Sequence, residues 1–310
     1  MWIAENYNDV LSKISKINSR TKAISTKQFD FTSLYTSLPK RFLIENLNWC
    51  LEKAFIGGKK KFISVYSQDA KFVNNPSETT PHFSLESLKN VLKFVIEHSY
   101  FTFGNIVVKQ IKGIGMGWDP APFVANLSLY TCEHKYQSKI LKTNYSIAKQ
   151  NNNNSRFIDD INILNNKSFE NEIDKIYPPE IVCNRENQDE KYGHFLELDI
   201  SIENEKFKTK IFDKRNDFNF DIVKYPDIQS NIPDRILYSV FISQILRYAR
   251  VCSSFCDFQA ESQLLISKFI TKGCKMNQLK SKTFSCLNSH IQDFSKYNMR
   301  VKNILEILFP

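Results

Sequence analysis

Asp159 and Asp160 stand together inside the apolar string RFIDDINIL (residues 156–164). Two adjacent carboxylates on a buried strand are costly unless something neutralises them. A pair of Mg²⁺ ions would do so, because hard cations prefer carboxylate oxygens, and Mn²⁺ has the same preference. A chain of this length holds roughly one Asp-Asp by chance, usually in a hydrated turn, so the pair gains weight from a third carboxylate upstream. That residue is Asp30, between Phe29 and Phe31 in STKQFDFTSLYTSLP (residues 25–39). On a strand both rings face one way and Asp30 faces the other. The strand is expected to end near Thr32 and Ser33, ahead of a turn or helix start near Pro39. An Asp before Thr-Ser also suits a helix cap. Tyr35, five residues on, favours the chemical reading: an aromatic side chain at that offset is what a nucleotide pocket with a sugar-checking wall requires. It would close against the 2′ position and select deoxynucleotides by steric exclusion.

A third element is KGIGMGWDPAPFVANLSLYTCEHKY (residues 112–136). Gly113, Gly115 and Gly117 make a side-chain-poor loop that lets a ligand approach the backbone. Asp119 and Pro120 read as N-cap and first helical residue. Phe123, Leu127 and Tyr130 follow at helical spacing, which predicts an amphipathic face. The glycines fit G-x-G-x-G rather than the dinucleotide-binding G-x-G-x-x-G, and no strand-like acidic partner lies about 20 residues on. A loop packing against a base pair in a polymerase cleft fits better.

Together these strings resemble a reverse transcriptase palm. FDFTSLY looks like its first catalytic motif, GIGMGWDPAPFVANL like its second and RFIDDI like its third, while HFLELDISIEN (residues 194–204) looks like the hairpin that grips the primer end. The wording of TSLYTSLP, DPAPFVANL and FLELDI is similar to the Penelope-like branch of retroelements. The resemblance runs from about Phe29 to about Cys274. It implies an α+β fold: a right-hand polymerase palm, with an antiparallel sheet and helices on one face, followed by a helical thumb. It also implies an RNA-directed DNA polymerase with two Mg²⁺ ions, working on an RNA template, a DNA primer and deoxynucleoside triphosphates. Asp30 and Asp159 would hold both metals and Asp160 would complete the acidic cluster. Phe31, Tyr35, Met116 and Gly117 would meet the incoming nucleotide and nascent base pair. Phe157, Phe195 and Leu196 would meet the primer end.

Relatives usually carry Pro where this chain has Gly115, a small residue where it has Trp118, and often Gln where it has Met116. Only 29 residues precede Asp30, too few for fingers of ordinary size. The expected division is therefore a helical N-terminal segment over residues 1–28 as a remnant of fingers, a palm over 29–233 with the primer-grip hairpin near 194–213, and a thumb over 234–310.

With 310 residues, 42% hydrophobic and 24% charged, the chain can build a sizeable core in one or two domains. Its formal charge is +9, which suits a polyanion. From Arg235 to the end there are 11 Lys or Arg against 4 Asp or Glu, so most of the excess lies there. Leu237, Val240, Phe241, Ile245 and Tyr248 form one apolar stripe, with Arg247 and Arg250 beside it, and Leu264, Lys268 and Lys272 continue the pattern on a second helix. A basic helical region that clasps a duplex backbone through Arg247 and Arg250 would look like this; so would a solvated positive face.

Residues 41–56 read as a helix with Phe42, Leu47, Leu51 and Phe55 inward, and 85–100 as another with Leu88, Leu92, Val95 and Ile96 inward. GGKKKF (residues 57–62) reads as a turn entering a strand, and Asn151 to Asn154 as a polar run before the catalytic hairpin. Lys191 is a surface lysine or, on the polymerase reading, a proton donor to pyrophosphate. Seven Cys in spacings that fit no common zinc pattern read as free thiols. Their odd number, with no signal peptide and no apolar run near 20 residues, points to an intracellular protein, nuclear or cytoplasmic, that is neither secreted nor in a membrane. Two further readings remain: a nucleic-acid-binding remnant of the same fold without turnover, and a palm-like nucleotidyl transferase or cyclase that needs no template.

Overall fold

The computed structural model describes residues 2–55, 59–220 and 222–310. Helix α1 (Tyr7–Arg20) precedes strand β1 (Thr26–Phe31), the short α2 (Leu34–Ser37) and α3 (Lys40–Ala54). Three short strands follow, β2 (Phe62–Val65), β3 (Ala70–Val73) and β4 (His82–Ser84), then α4 (Leu85–Glu97) and the hairpin β5 (Tyr100–Phe103) and β6 (Ile106–Lys109). Next come α5 (Ala121–Thr143), α6 (Tyr145–Gln150), the hairpin β7 (Asn154–Phe157) and β8 (Asp160–Leu164), α7 (Ile173–Ile176) and β9 (Cys183–Arg185). The remainder is a three-stranded meander, β10 (Tyr192–Phe195), β11 (Leu198–Glu203) and β12 (Lys206–Ile211), then α8 (Asp234–Val251), α9 (Phe255–Thr271), α10 (Met276–Ser289), α11 (Ile291–Phe294) and α12 (Val301–Leu308). The chain is thus of mixed α+β class. Gly57 and Gly58, part of the expected turn, lie outside the described residues.

By packing, the chain divides into two compact units. One comprises Met1–Ala4 with Phe29–Glu186, the other Glu5–Gln28 with Asn187–Pro310. The expected partition placed the 194–213 hairpin with the catalytic strands and residues 1–28 by themselves. In the structure β10–β12 group with α1 and the C-terminal helices, since β12 packs on α1, α8 and α9.

The first unit is built on a four-stranded sheet in the order β7-β8-β1-β9. β1 alternates as the sequence predicts: Phe29 and Phe31 are each 2% exposed, and Asp30 lies on the other, half-buried side. Phe29 meets Phe169 edge-on and Phe31 meets Tyr177. Residues Trp2 to Ala4 run beside β7, with Arg156 N–H donating to the Trp2 carbonyl at 2.7 Å and Ala4 N–H to the Arg156 carbonyl at 2.8 Å. The N-terminal segment is therefore extended where it pairs with this hairpin and helical only over α1.

Helix α5 begins one residue later than expected, with Pro120 rather than Asp119 in the N-cap position. Its predicted apolar stripe is not its buried face. Phe123 is 65% exposed, while Ala121, Val124, Ala125, Ser128 and Leu129 are buried. The helix is covered from two directions: Thr131 Oγ1 donates to the Asn46 carbonyl of α3 at 3.3 Å, and Glu133 pairs with Arg156 of β7, so its buried surface is wider than one stripe. On α3 the buried positions are Leu43, Asn46 and Leu47, and on α4 Ile96.

In the second unit the predicted stripe of α8 does face the core, with Leu237, Phe241, Ile245 and Tyr248 buried. No helix among the described residues is long and apolar enough to cross a membrane.

Candidate active site

The β7–β8 hairpin turns tightly, because Phe157 and Asp160 are directly opposed and only Ile158 and Asp159 connect them. Ile158 takes a left-handed backbone, φ 53°, which a β-branched residue adopts only under strain. What holds it is a neighbour that composition did not reveal. Arg156, fully buried, donates through Nη1 to the Ile158 carbonyl at 3.0 Å and to the Asn126 side chain, and pairs through Nε with Glu133 on α5. Tyr177 Oη donates to the same Glu133 at 3.0 Å. A buried Arg is tolerable only when paired and fully hydrogen-bonded, and this one is fixed by α5 while it fixes the turn. Its sequence signal was the placing of an Arg in the apolar string just before Phe157.

Asp160 opens β8, and β8 lies next to β1, which carries Asp30. Phe31 N–H donates to the Asp159 carbonyl at 3.3 Å, tying the turn to β1. Asp30 pairs across β1–β9 with Asn184. All three carboxylates are half-buried, and the chain brings the segments bearing them side by side. Their charge is felt locally. Burial first, and then the negative charge of Asp30, push the Cys183 thiol up to about 12. Burial and then Asp159 raise the Tyr35 phenol above its ordinary value.

Among the described residues, no three His, Cys, Asp or Glu side chains are gathered into a closed metal cage. Carboxylate oxygens are the donor type that a hard divalent cation prefers, and these three lie on adjacent segments of the sheet and its turn.

Tyr35, Met116 and Gly117 were placed at the nucleotide from sequence, and the structure puts them on one cleft. With Trp118, Asp119, Ala121 and Pro122 they line about 300 Å³. The glycine loop is zipped to the Tyr35 helix: Gly113 N–H donates to the Leu38 carbonyl at 2.8 Å and Ile114 N–H to the Tyr35 carbonyl at 2.7 Å. Gly113 has φ 78°, and a Cβ there would fall 2.4 Å from the Tyr35 carbonyl oxygen. Gly115 needs no such freedom, as its nearest neighbour to an added Cβ is 3.6 Å away. Trp118, a bulky departure, packs partly against the core of this unit. Met116 is 78% exposed.

Other expected residues are more remote from direct contact. The Phe31 ring is buried on Tyr177, and the Phe31 backbone N–H is the group that reaches the Asp159 turn. Phe157 is half-buried in the hairpin. In the second unit, Phe195 is buried at the end of β10 and Leu196 sits in the following turn with φ 57°. Arg247 pairs with Glu197 at 2.9 Å and Arg250 with Asp293 at 3.0 Å; both guanidinium groups are engaged within this unit. Lys191 is exposed. Cys252 follows the last residue of α8 and is buried, whereas Cys256 lies on α9 and is exposed.

No protein-family model matches the chain, and no curated protein matches it by sequence. Among solved structures, telomerase from Candida albicans, in complex with the TWJ fragment of telomeric RNA, aligns with a TM-score of 0.61 at 12% identity, over 99% of this chain and 52% of that one. Apo telomerase from Candida tropicalis aligns with a TM-score of 0.48 at 13% identity, over 97% and 48%. The chain thus spans about half the length of these telomerases. At 12% identity the first likeness is one of fold alone: the chain is similar in fold to about half of that telomerase chain. The Penelope-like resemblance rests on the sequence strings alone.

Proposed function

We propose that this chain is an RNA-directed DNA polymerase of a retroelement, extending a primer 3′-hydroxyl with deoxynucleotides. The observation that carries the reading is the adjacency of β1 and β8, which sets Asp30 beside the Asp159–Asp160 turn next to a cleft lined by Tyr35, Met116 and Gly117. The shared fold supports it, and so does the RNA fragment held by the Candida albicans telomerase.

On this reading Asp30, Asp159 and Asp160 hold two Mg²⁺ ions, and Mn²⁺ would serve in their place. Bound cations of this kind supply Lewis-acid charge to the attacking hydroxyl and the departing pyrophosphate. The chain's own residues do the positioning. Arg156 keeps the strained turn, and with it Asp159, in one place. On the same reading the Tyr35 ring is the wall that a ribose 2′-hydroxyl would meet. The bare backbone at Gly117 and the flexible Met116 side chain accept any of the four base pairs, as templated synthesis demands. Preorganisation and charge account for such chemistry without a protein nucleophile.

A second reading, a binding remnant without turnover, is favoured by the open arrangement of the three carboxylates. Purified protein with Mg²⁺ or Mn²⁺, a DNA primer on an RNA template and deoxynucleotides separates the possibilities. Extension that follows the template sequence supports the polymerase. Binding without extension supports the remnant, and untemplated addition supports the transferase.

A further inference from the structure

Within the second unit, the segment linking β12 to α8 and the last turn of α9 enclose a cleft of about 970 Å³. Its described lining carries the cations Arg215, Lys224, Lys268 and Lys272 against one carboxylate, Asp213. Asp213 is already committed, to Arg215 at 2.6 Å and Lys224 at 3.4 Å. Lys268 and Lys272 make no ion pair among the described residues. Two phenylalanines stand on the same cleft in water: Phe218 is 48% exposed and Phe220 61%, their rings 5.4 Å apart and tilted by 52°.

Lysines in the last turn of a helix are commonplace, since they complement its carbonyl end. Exposed aromatic rings beside them are not explained that way. A groove of positive charge that tracks a phosphate backbone, interleaved with ring faces on which bases stack, is the chemistry of single-stranded nucleic acid recognition. A duplex would present phosphates but keep its bases stacked on one another. An inorganic anion would leave the rings unused.

We propose that this cleft binds a single-stranded segment of nucleic acid, with bases on Phe218 and Phe220 and phosphates on Lys268, Lys272 and Arg215. The site uses none of the carboxylates of the first unit, so it stands or falls independently of polymerase activity.

The full-length protein is photo-cross-linked to a 12-nucleotide single-stranded RNA carrying 4-thiouridine, and the adducts are mapped by mass spectrometry. Adducts at Phe218 or Phe220 are expected, and the double variant Phe218→Ala/Phe220→Ala should lose them. That variant should also bind the labelled 12-mer at least roughly 30-fold more weakly, as removal of two stacking platforms does. Lys268→Ala/Lys272→Ala should lower the slope of log affinity against log salt by about 1.4, from two lost phosphate contacts on a single strand. All four positions lie at the surface, so folding is not at stake. Adducts confined to other segments, an unchanged affinity in the phenylalanine variant, or displacement of the adducts by blunt duplex or poly-glutamate as readily as by unlabelled single strand would each overturn the proposal.

Discussion

The Arg156 guanidinium holds the carbonyl of Ile158 at 3.0 Å, so a buried ion pair of the core also fixes the turn that carries Asp159. Removing one partner of such a pair strands the other charge in the interior. Arg156→Met should therefore lower stability by about 3–5 kcal/mol, and Arg156→Met/Glu133→Leu should recover most of it. Denaturant midpoints report both. Asn126→Ala, which removes one partner of the buried guanidinium, should slow nucleotide addition while lowering stability by about 1.5–3 kcal/mol, less than Arg156→Met.

Gly113 and Gly115 lie two residues apart but face opposite constraints. Gly113→Ala would drive a methyl into the Tyr35 carbonyl from a left-handed backbone, at a cost of about 1–3 kcal/mol. Gly115→Ala has room, and should be neutral or stabilise by up to about 1 kcal/mol by restricting the unfolded chain. Thermal or urea melts of the two variants should therefore move in different directions.

Tyr35 shares its cleft with Met116 and Gly117. If its ring is the sugar wall, Tyr35→Ala should raise the relative efficiency of ribonucleotide incorporation by roughly 10- to 200-fold, the range over which small steric differences discriminate. Single-nucleotide kinetics with paired deoxy- and ribonucleotides measure this. An unchanged ratio would assign the wall elsewhere.

The Cys183 thiol is pushed up to about 12, by burial and by the charge of Asp30. Thiolate is the reactive form, so Cys183 should resist iodoacetamide at pH 9 while the exposed Cys256 is labelled. The sign of the second cause is testable. Asp30→Asn removes a negative charge that disfavours thiolate, so Cys183 labelling should become several-fold faster at the same pH. Labelling that stays equally slow would mean that the carboxylate does not act on the thiol.

The strings around Asp30 and the Asp159–Asp160 turn were legible because strand alternation and a conspicuous carboxylate pair are local properties. β1 alternates as its sequence says, and Tyr35, Met116 and Gly117, which the resemblance associates, line one cleft. On α5, Phe123, Leu127 and Tyr130 form the apolar stripe, whereas the buried positions include the small residues Ala121, Ala125 and Ser128, which carry little weight in a periodicity reading. Asn151 and Asn154 read as a polar run, yet both are buried and bonded to Asn166. Hydrogen bonds between residues distant in sequence leave no periodic trace. Arg156 escaped attention for the same reason, since its partners Glu133 and Asn126 lie on another element. The grouping of β10–β12 with the C-terminal helices is likewise a matter of packing between distant segments.

The central claim is that the carboxylates of Asp30, Asp159 and Asp160 act together on a nucleotide. Its most direct test is the rate of Mg²⁺-dependent single-nucleotide addition to a DNA primer on an RNA template, compared between the parent protein and Asp159→Asn. Extension in the parent and its loss in the variant, with primer–template affinity unchanged, is the predicted result. Equal rates in the two proteins would contradict the account.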